Sequence, residues 1–262
     1  MPRRSSWLLI PAFALAAACS KGGEKAATPG ADTTAAAVPI SPEPMAIVTV
    51  LYNPPKDTAA FEKYYRTIHV PLVVANQGEI GFVRADLTKF TSTADGKKPT
   101  FYRQAELYFK SMDDLKKGIA TEGFKKVADD LNKFATGGLT GMVATTTNPH
   151  EAGSGQAPAA IFTVIYKTPK DTAAFEKYYA EIHIPLVVAS QDQIGFERAE
   201  LTKFNSNLDG SKPARYRQAE LYFPSMAALK KGVATPAFKG VADDLPKFAT
   251  GGFDALVAVE TK

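Results

Sequence analysis

Apolar and polar positions along the chain alternate between two periods, and the whole pattern is written twice. "AIVTVLY" at Ala46–Tyr52 is rich in β-branched and aromatic residues and predicts a strand. Beyond it Phe61, Tyr64, Tyr65, Ile68, His69 and Leu72 recur at helical spacing, while Glu62, Lys63, Arg66 and Thr67 fall on the other side. That pattern predicts an amphipathic helix capped by Asp57 or Thr58, ending near Pro71 because a residue before proline is pushed out of helical geometry. "GFVRADLTKF" and "FYRQAELYF" alternate as strands, joined by a loop that carries Asp95-Gly96. Ser111 and Asp114 resemble a capping box for a second helical stretch; the second copy weakens it, with Ala228 in place of the acid. Thr121, or Thr235 followed by Pro236, opens a further helix to Ala135 or Ala249, with Gly137 and Gly138 suited to its C-terminal cap. "LTGMVATT" and "FDALVAVE" supply the last strand of each copy.

The two copies lie 114 residues apart without a gap, as His69 and His183 do. Roughly two-thirds of aligned positions are identical, far beyond chance for unrelated segments. "KDTAAFEKYY", "YRQAELYF" and "KFATGG" each occur twice. Each unit reads strand, helix, strand, strand, helices, strand, the ferredoxin-like βαββαβ order. Helices then cover one sheet face only, and the second copy is the available cover for the other. The fold class is therefore α+β: two tandem ferredoxin-like domains, 45–145 and 160–262, packed sheet to sheet as an intramolecular pseudo-dimer.

The remaining segments have a different composition. Arg3 and Arg4 precede an apolar run from Trp7 to Ala17 that is shorter than the roughly 20 residues a membrane span needs. With Ala16-Ala17-Ala18-Cys19-Ser20 behind it, this reads as a lipoprotein signal over 1–19, with Cys19 as the lipidated residue. The serine after the cysteine points to the periplasmic side of the outer membrane. Residues 20–44 read as a flexible tether and 146–159 as a linker, which holds His150. Cys19 is the only cysteine, which excludes an intramolecular disulfide and a thiolate metal cluster. The formal net charge of +4 comes from lysines scattered among acids, as in "KSMDDLKK", so no basic face for nucleic acid forms.

Strand alternation assigns the face between the sheets. Tyr102, Gln104, Glu106 and Tyr108 are expected there, beside Phe82, Arg84, Asp86, Thr88 and Phe90; Ala85, Leu87, Ala105, Leu107 and Phe109 turn to the helices. The second copy repeats this with Phe196, Arg198, Glu200, Thr202 and Phe204, and with Tyr216, Gln218, Glu220 and Tyr222. Two roles fit so polar a face. Arg84 can pair with Glu106 or Asp86 inside a sealed interface, or the face can bind a small hydrophobic or aromatic molecule between aromatic walls and a few orienting groups. The binding candidates are Arg84, Tyr102, Gln104, Glu106, Arg198, Tyr216, Gln218 and Glu220. His69 and His183, on the apolar stripe, are either core histidines or general bases, since an imidazole takes a proton near neutral pH.

Tyr65-x-x-x-His69-x-Pro71-Leu72 and its repeat Tyr179-x-x-x-His183-x-Pro185-Leu186 resemble the EthD family, as does Asp129/Asp130-x-x-x-Phe134 before a Gly-rich turn. The resemblance covers almost everything after residue 45. It implies a dimeric α+β barrel and oxidoreductase or isomerase chemistry on a small, often aromatic substrate. His69 and His183 would be the catalytic positions, with Tyr65 and Tyr179 beside them. No Rossmann or phosphate-binding glycine motif is present, so no cofactor is expected. Haem on a single histidine, as in some related barrels, is the one cofactor the residues admit. A ligand-holding or structural lipoprotein without turnover is the alternative function.

Overall fold

The computed structural model describes residues 45–147 and 160–261. The leader with Cys19, the tether to Pro44 and the linker around His150 lie outside the described residues. The first repeat runs β1 (Met45–Tyr52), α1 (Thr58–Tyr64), a π-turn (Tyr65–His69), α2 (Val70–Ala75), α3 (Gln77–Ile80), β2 (Arg84–Thr93), β3 (Arg103–Phe109), α4 (Met112–Ile119), α5 (Glu122–Leu131) and β4 (Leu139–Thr147). The last strand thus extends two residues past the expected boundary at 145. The second repeat follows the same order: β5 (Ala160–Tyr166), α6 (Thr172–Tyr178), a π-turn (Tyr179–His183), α7 (Ile184–Ala189), α8 (Gln191–Ile194), β6 (Arg198–Asn207), β7 (Arg217–Phe223), α9 (Met226–Val233), α10 (Pro236–Phe248) and β8 (Phe253–Thr261).

The sheet-to-sheet packing takes the form of one closed barrel, β1-β3-β2-β8-β5-β7-β6-β4. Within a repeat β1 pairs with β3 and β4, and β2 with β3, all antiparallel. The repeats close on each other through β2 with β8 and β4 with β6. Closure leaves no free sheet edge, the feature that otherwise invites aggregation. It also gives the chain two kinds of core. Ile47, Leu51, Phe90, Tyr108 and Met142 meet Ile161, Phe204, Tyr222 and Leu256 inside the barrel. Outside it, each repeat's helices cover the opposite face of its own strands.

The caps form as the sequence predicts. Asp57 accepts from the Ala60 amide, Ser111 from Asp114 and Thr121 from Phe124. Ser225 still caps α9 through the Ala228 amide without an acid there. Gly138, with φ of 82°, takes the left-handed turn after the last helix.

Pro71 does not end its helix. The backbone opens into a π-turn, in which the Val70 amide donates to the Tyr65 carbonyl, and Pro71 sits in the first turn of α2, where a missing N–H costs nothing. The extra residue in the turn changes the stripe. Phe61, Tyr65 and His69 are buried, whereas Ile68, expected on the same face, is 47% exposed.

Candidate functional site

A cavity of about 240 Å³ lies between the helices and the outer face of the sheet in the first repeat. Its walls are largely apolar, among them Val48, Val73, Leu107 and Leu131; Tyr52 also lines it, as do two polar rings of a single turn, Tyr65 and His69. The π-turn brings those two together, since its ends are these residues, and their rings stack with centroids 5.7 Å apart. Phe134 packs on His69 at 4.7 Å and on Tyr65 at 5.9 Å, so the three rings form one cluster.

His69 is buried at 4% exposure, and its Nδ1 lies 2.9 Å from Asp130 Oδ2. The other carboxylate oxygen of Asp130 accepts from the Tyr64 hydroxyl at 2.9 Å and lies 3.1 Å from the Lys133 ammonium. A carboxylate can only accept, so Nδ1 carries the proton and Nε2 is left as the basic nitrogen. Burial lowers the His69 pKa, and the Asp130 contact offsets only part of that, so the imidazole is neutral at neutral pH. Burial alone would raise the Asp130 pKa; the hydrogen bonds from His69, Tyr64 and Lys133 outweigh it and hold the group below its ordinary value. The result is a neutral, oriented base at the wall of a largely apolar cavity. His183, Asp244, Tyr178 and Lys247 repeat the contacts at 2.9, 2.8 and 3.1 Å.

Tyr65 and Tyr179 keep their places beside the histidines, with pKa values raised by burial, so both hydroxyls stay protonated. Arg103 lies over the Tyr65 ring at 4.8 Å and Arg217 over Tyr179 at 5.0 Å.

The binding candidates from strand alternation are not at this cavity. Arg84, Gln104, Glu106, Arg198, Gln218 and Glu220 line the barrel interior, where they tie the repeats together. Gln104 donates to Glu220 at 3.3 Å and Gln218 to Glu106 at 3.4 Å. Thr49 and Tyr108 donate to Glu106, as Thr163 and Tyr222 do to Glu220. Arg84 pairs with Asp86 at 3.0 Å and approaches Glu200 at 3.6 Å, its guanidinium lying over Tyr108. Arg198 likewise lies over Tyr222. Burial, reinforced by neighbouring carboxylates, raises the pKa of Glu106 well above the carboxylate range and that of Glu220 to about 7.

Four residues face the other way from the expectation. Tyr102 and Tyr216 lie before the first residues of β3 and β7, so strand parity does not govern them; both pack on the helix side against Phe61 and Phe175. Their hydroxyls donate at 2.6 Å to Glu62 and Glu176, which also bind Arg103 and Arg217. Phe82 and Phe196 precede β2 and β6 and join the helix-side cores for the same reason.

Asp130 and Asp244 are the functional candidates that pattern reading did not single out for a role. The signal was present: "VADDL" occurs in both copies, four residues before the Phe that packs on the histidine.

An eight-stranded antiparallel barrel with helices outside and a cavity between the layers defines a dimeric α+β barrel, here completed within one chain. The EthD domain model matches residues 53–138 and again 167–252, and the chain belongs to the EthD family. It is 38% identical over 98 residues to an uncharacterised 11.0 kDa protein of the thcB-thcC intergenic region of Rhodococcus erythropolis, covering 37% of this chain and 91% of that protein. Among solved structures, an anthrone oxidase-like protein matches 86% of this chain and 95% of its own at 17% identity with a TM-score of 0.58, a likeness of fold. An EthD family protein of Bacillus halodurans is 28% identical, covering 38% of this chain and 95% of its own, with a TM-score of 0.35.

Proposed function

We propose that the chain binds a small hydrophobic or aromatic compound in the cavity of the first repeat and that His69 removes a proton from it. One observation carries this reading: an imidazole whose Nδ1 is committed to a buried carboxylate lines a largely apolar cavity. A dry apolar cavity of about 150 Å³ is enough to hold benzene, so one of about 240 Å³ suits a compound of one or two rings. In the reaction a C–H or O–H proton passes to Nε2 while Asp130 stabilises the imidazolium that forms. The substrate anion can then be reprotonated at another carbon, as in an isomerase; in an oxidoreductase it would instead pass its electron pair to an external two-electron acceptor such as dioxygen, which is reduced to peroxide.

1-Tetralone, a bicyclic ketone with exchangeable α-hydrogens, tests this. Incubated in D2O, the protein should accelerate deuterium entry at the α-carbon, and His69→Ala should bind the ketone but lose the acceleration, by about 100-fold or more. Binding without acceleration in the wild type would replace catalysis by ligand holding.

The same proposal places the protein at the periplasmic side of the outer membrane, anchored through a lipid on Cys19. This rests on the Arg3-Arg4, apolar and Ala-Ala-Ala-Cys order of the sequence. Cys19→Ala should abolish labelling by radioactive palmitate; unchanged labelling would refute the anchor.

A further inference from the structure

The two repeats, so alike in sequence, diverge at the cavity. Val48 of β1 lines it, and the residue in register on β5 is Phe162. The Phe162 ring is 5% exposed and meets Phe238 of α10 edge-on, with centroids 4.9 Å apart. Phe238 corresponds to Phe124, which in the first repeat borders the cavity.

The surrounding residues respond to that extra ring. Val73 and Leu131 are half-buried at the first cavity, whereas their counterparts Val187 and Leu245 are buried. In the second repeat Phe162, Tyr166, Tyr179, Val187 and Leu245 belong to one continuous core. In the first repeat the equivalent residues divide into two clusters, one with Val48 and one with Tyr52 and Tyr65. Among the described residues the buried Tyr179 hydroxyl has no hydrogen-bond partner.

The second repeat also builds part of the first cavity. Leu208, just past β6, and Thr261, at the end of β8, both line it. Leu208 folds over Gly141, where a Cβ would lie 2.4 Å from its Cδ1. The matching pair in the other repeat is Ala94 and Ala255, where the Ala94 amide donates to the Ala255 carbonyl at 2.9 Å, and an alanine side chain is too short to supply an equivalent wall.

The geometry points to a single ligand site per chain, resting on the reading of the cavity above: Phe162 plugs the second repeat, and that repeat serves as a wall for the first. Val48 and Phe162 are then the residues that decide which repeat accepts an apolar or aromatic ligand.

Crystals of the full chain under xenon pressure test this, because xenon enters dry apolar cavities without needing the natural ligand. The wild type should show xenon beside Val48 and none beside Phe162. Val48→Phe should lose that atom, and Phe162→Val should gain a second between β5 and α10 at comparable occupancy. Xenon in both repeats of the wild type, or retained in Val48→Phe, overturns the asymmetry while leaving the ligand-binding reading intact. Xenon in neither repeat of the wild type overturns both. Should Phe162→Val fail to fold, the wild type and Val48→Phe still decide the matter.

Discussion

His69 and Asp130 are 61 residues apart in sequence, yet Nδ1 and Oδ2 lie 2.9 Å apart with both side chains buried. The carboxylate fixes the ring tautomer and its orientation together. Asp130→Asn should therefore leave the cavity and its ligand affinity in place while slowing 1-tetralone exchange on the order of tenfold or more, because an amide no longer dictates which nitrogen holds the proton. An unchanged exchange rate would make Asp130 a packing residue only.

The histidines should separate functionally despite matching hydrogen-bond partners. His69 lines a cavity, while His183 sits in a repeat whose space is filled by Phe162. In the exchange assay His69→Ala should cost at least tenfold more than His183→Ala. Equal losses would mean that both repeats turn over substrate.

Gly141 and Leu208 should couple in a double-mutant cycle. Gly141→Ala forces its methyl against Leu208 and should destabilise by about 1–2 kcal/mol, the range for overpacking. In a Leu208→Ala background the same change reproduces the Ala255 and Ala94 pairing of the other repeat. There its cost should vanish, a coupling of about 1 kcal/mol or more in urea unfolding. Additive effects would show that Leu208 moves aside freely.

Stability should respond to pH through two opposing sets of buried groups. His69 and His183 have pKa values depressed below 6.5, so the unfolded chain binds more protons, and the stability they confer at higher pH is lost as the pH drops below 6.5. Asp130 and Asp244, depressed below 3.8, add a further loss at lower pH. The barrel carboxyls act oppositely. Burial, partly offset by Arg84, raises Asp86 to about 6, and Glu220 stands at about 7 against 4.5 for the free group. Between those values the folded chain holds the extra proton, so stability declines as pH rises from about 4.5 to 7. Glu220→Gln should flatten that decline and make the variant more stable than wild type at pH 8, read as Tm across the pH range. A variant less stable than wild type at pH 8 would show that the barrel favours the ionised carboxylate over a neutral side chain, against the raised pKa.

Much of the candidate site is legible in the sequence because it is local. The Tyr65 to His69 spacing puts both rings on one helix face, and the repeat restates it at Tyr179 and His183. The π-turn was not legible, since Pro71 argues for a stop, and the wider turn is seen only where Tyr65 and His69 pack with Phe134 and Asp130 from far along the chain. Strand parity placed Gln104, Glu106 and Arg84 correctly in the barrel and failed at Tyr102 and Phe82, where the strand had not yet begun.

By itself the sequence determined the duplication, the βαββαβ order, the caps at Asp57, Ser111 and Thr121, and which strand residues share a face, because each is set by neighbours within a few positions. Only the tertiary structure decided that the cavity beside His69 lies on the helix side of the sheet, outside the barrel. Inside, large rings and hydrogen-bonded Gln and Glu side chains from both repeats pack together. Outside, Val48 leaves room that Phe162 takes, and whether one side-chain volume opens or closes a cavity depends on residues brought to it from Phe124, Leu208 and Thr261, far away along the chain.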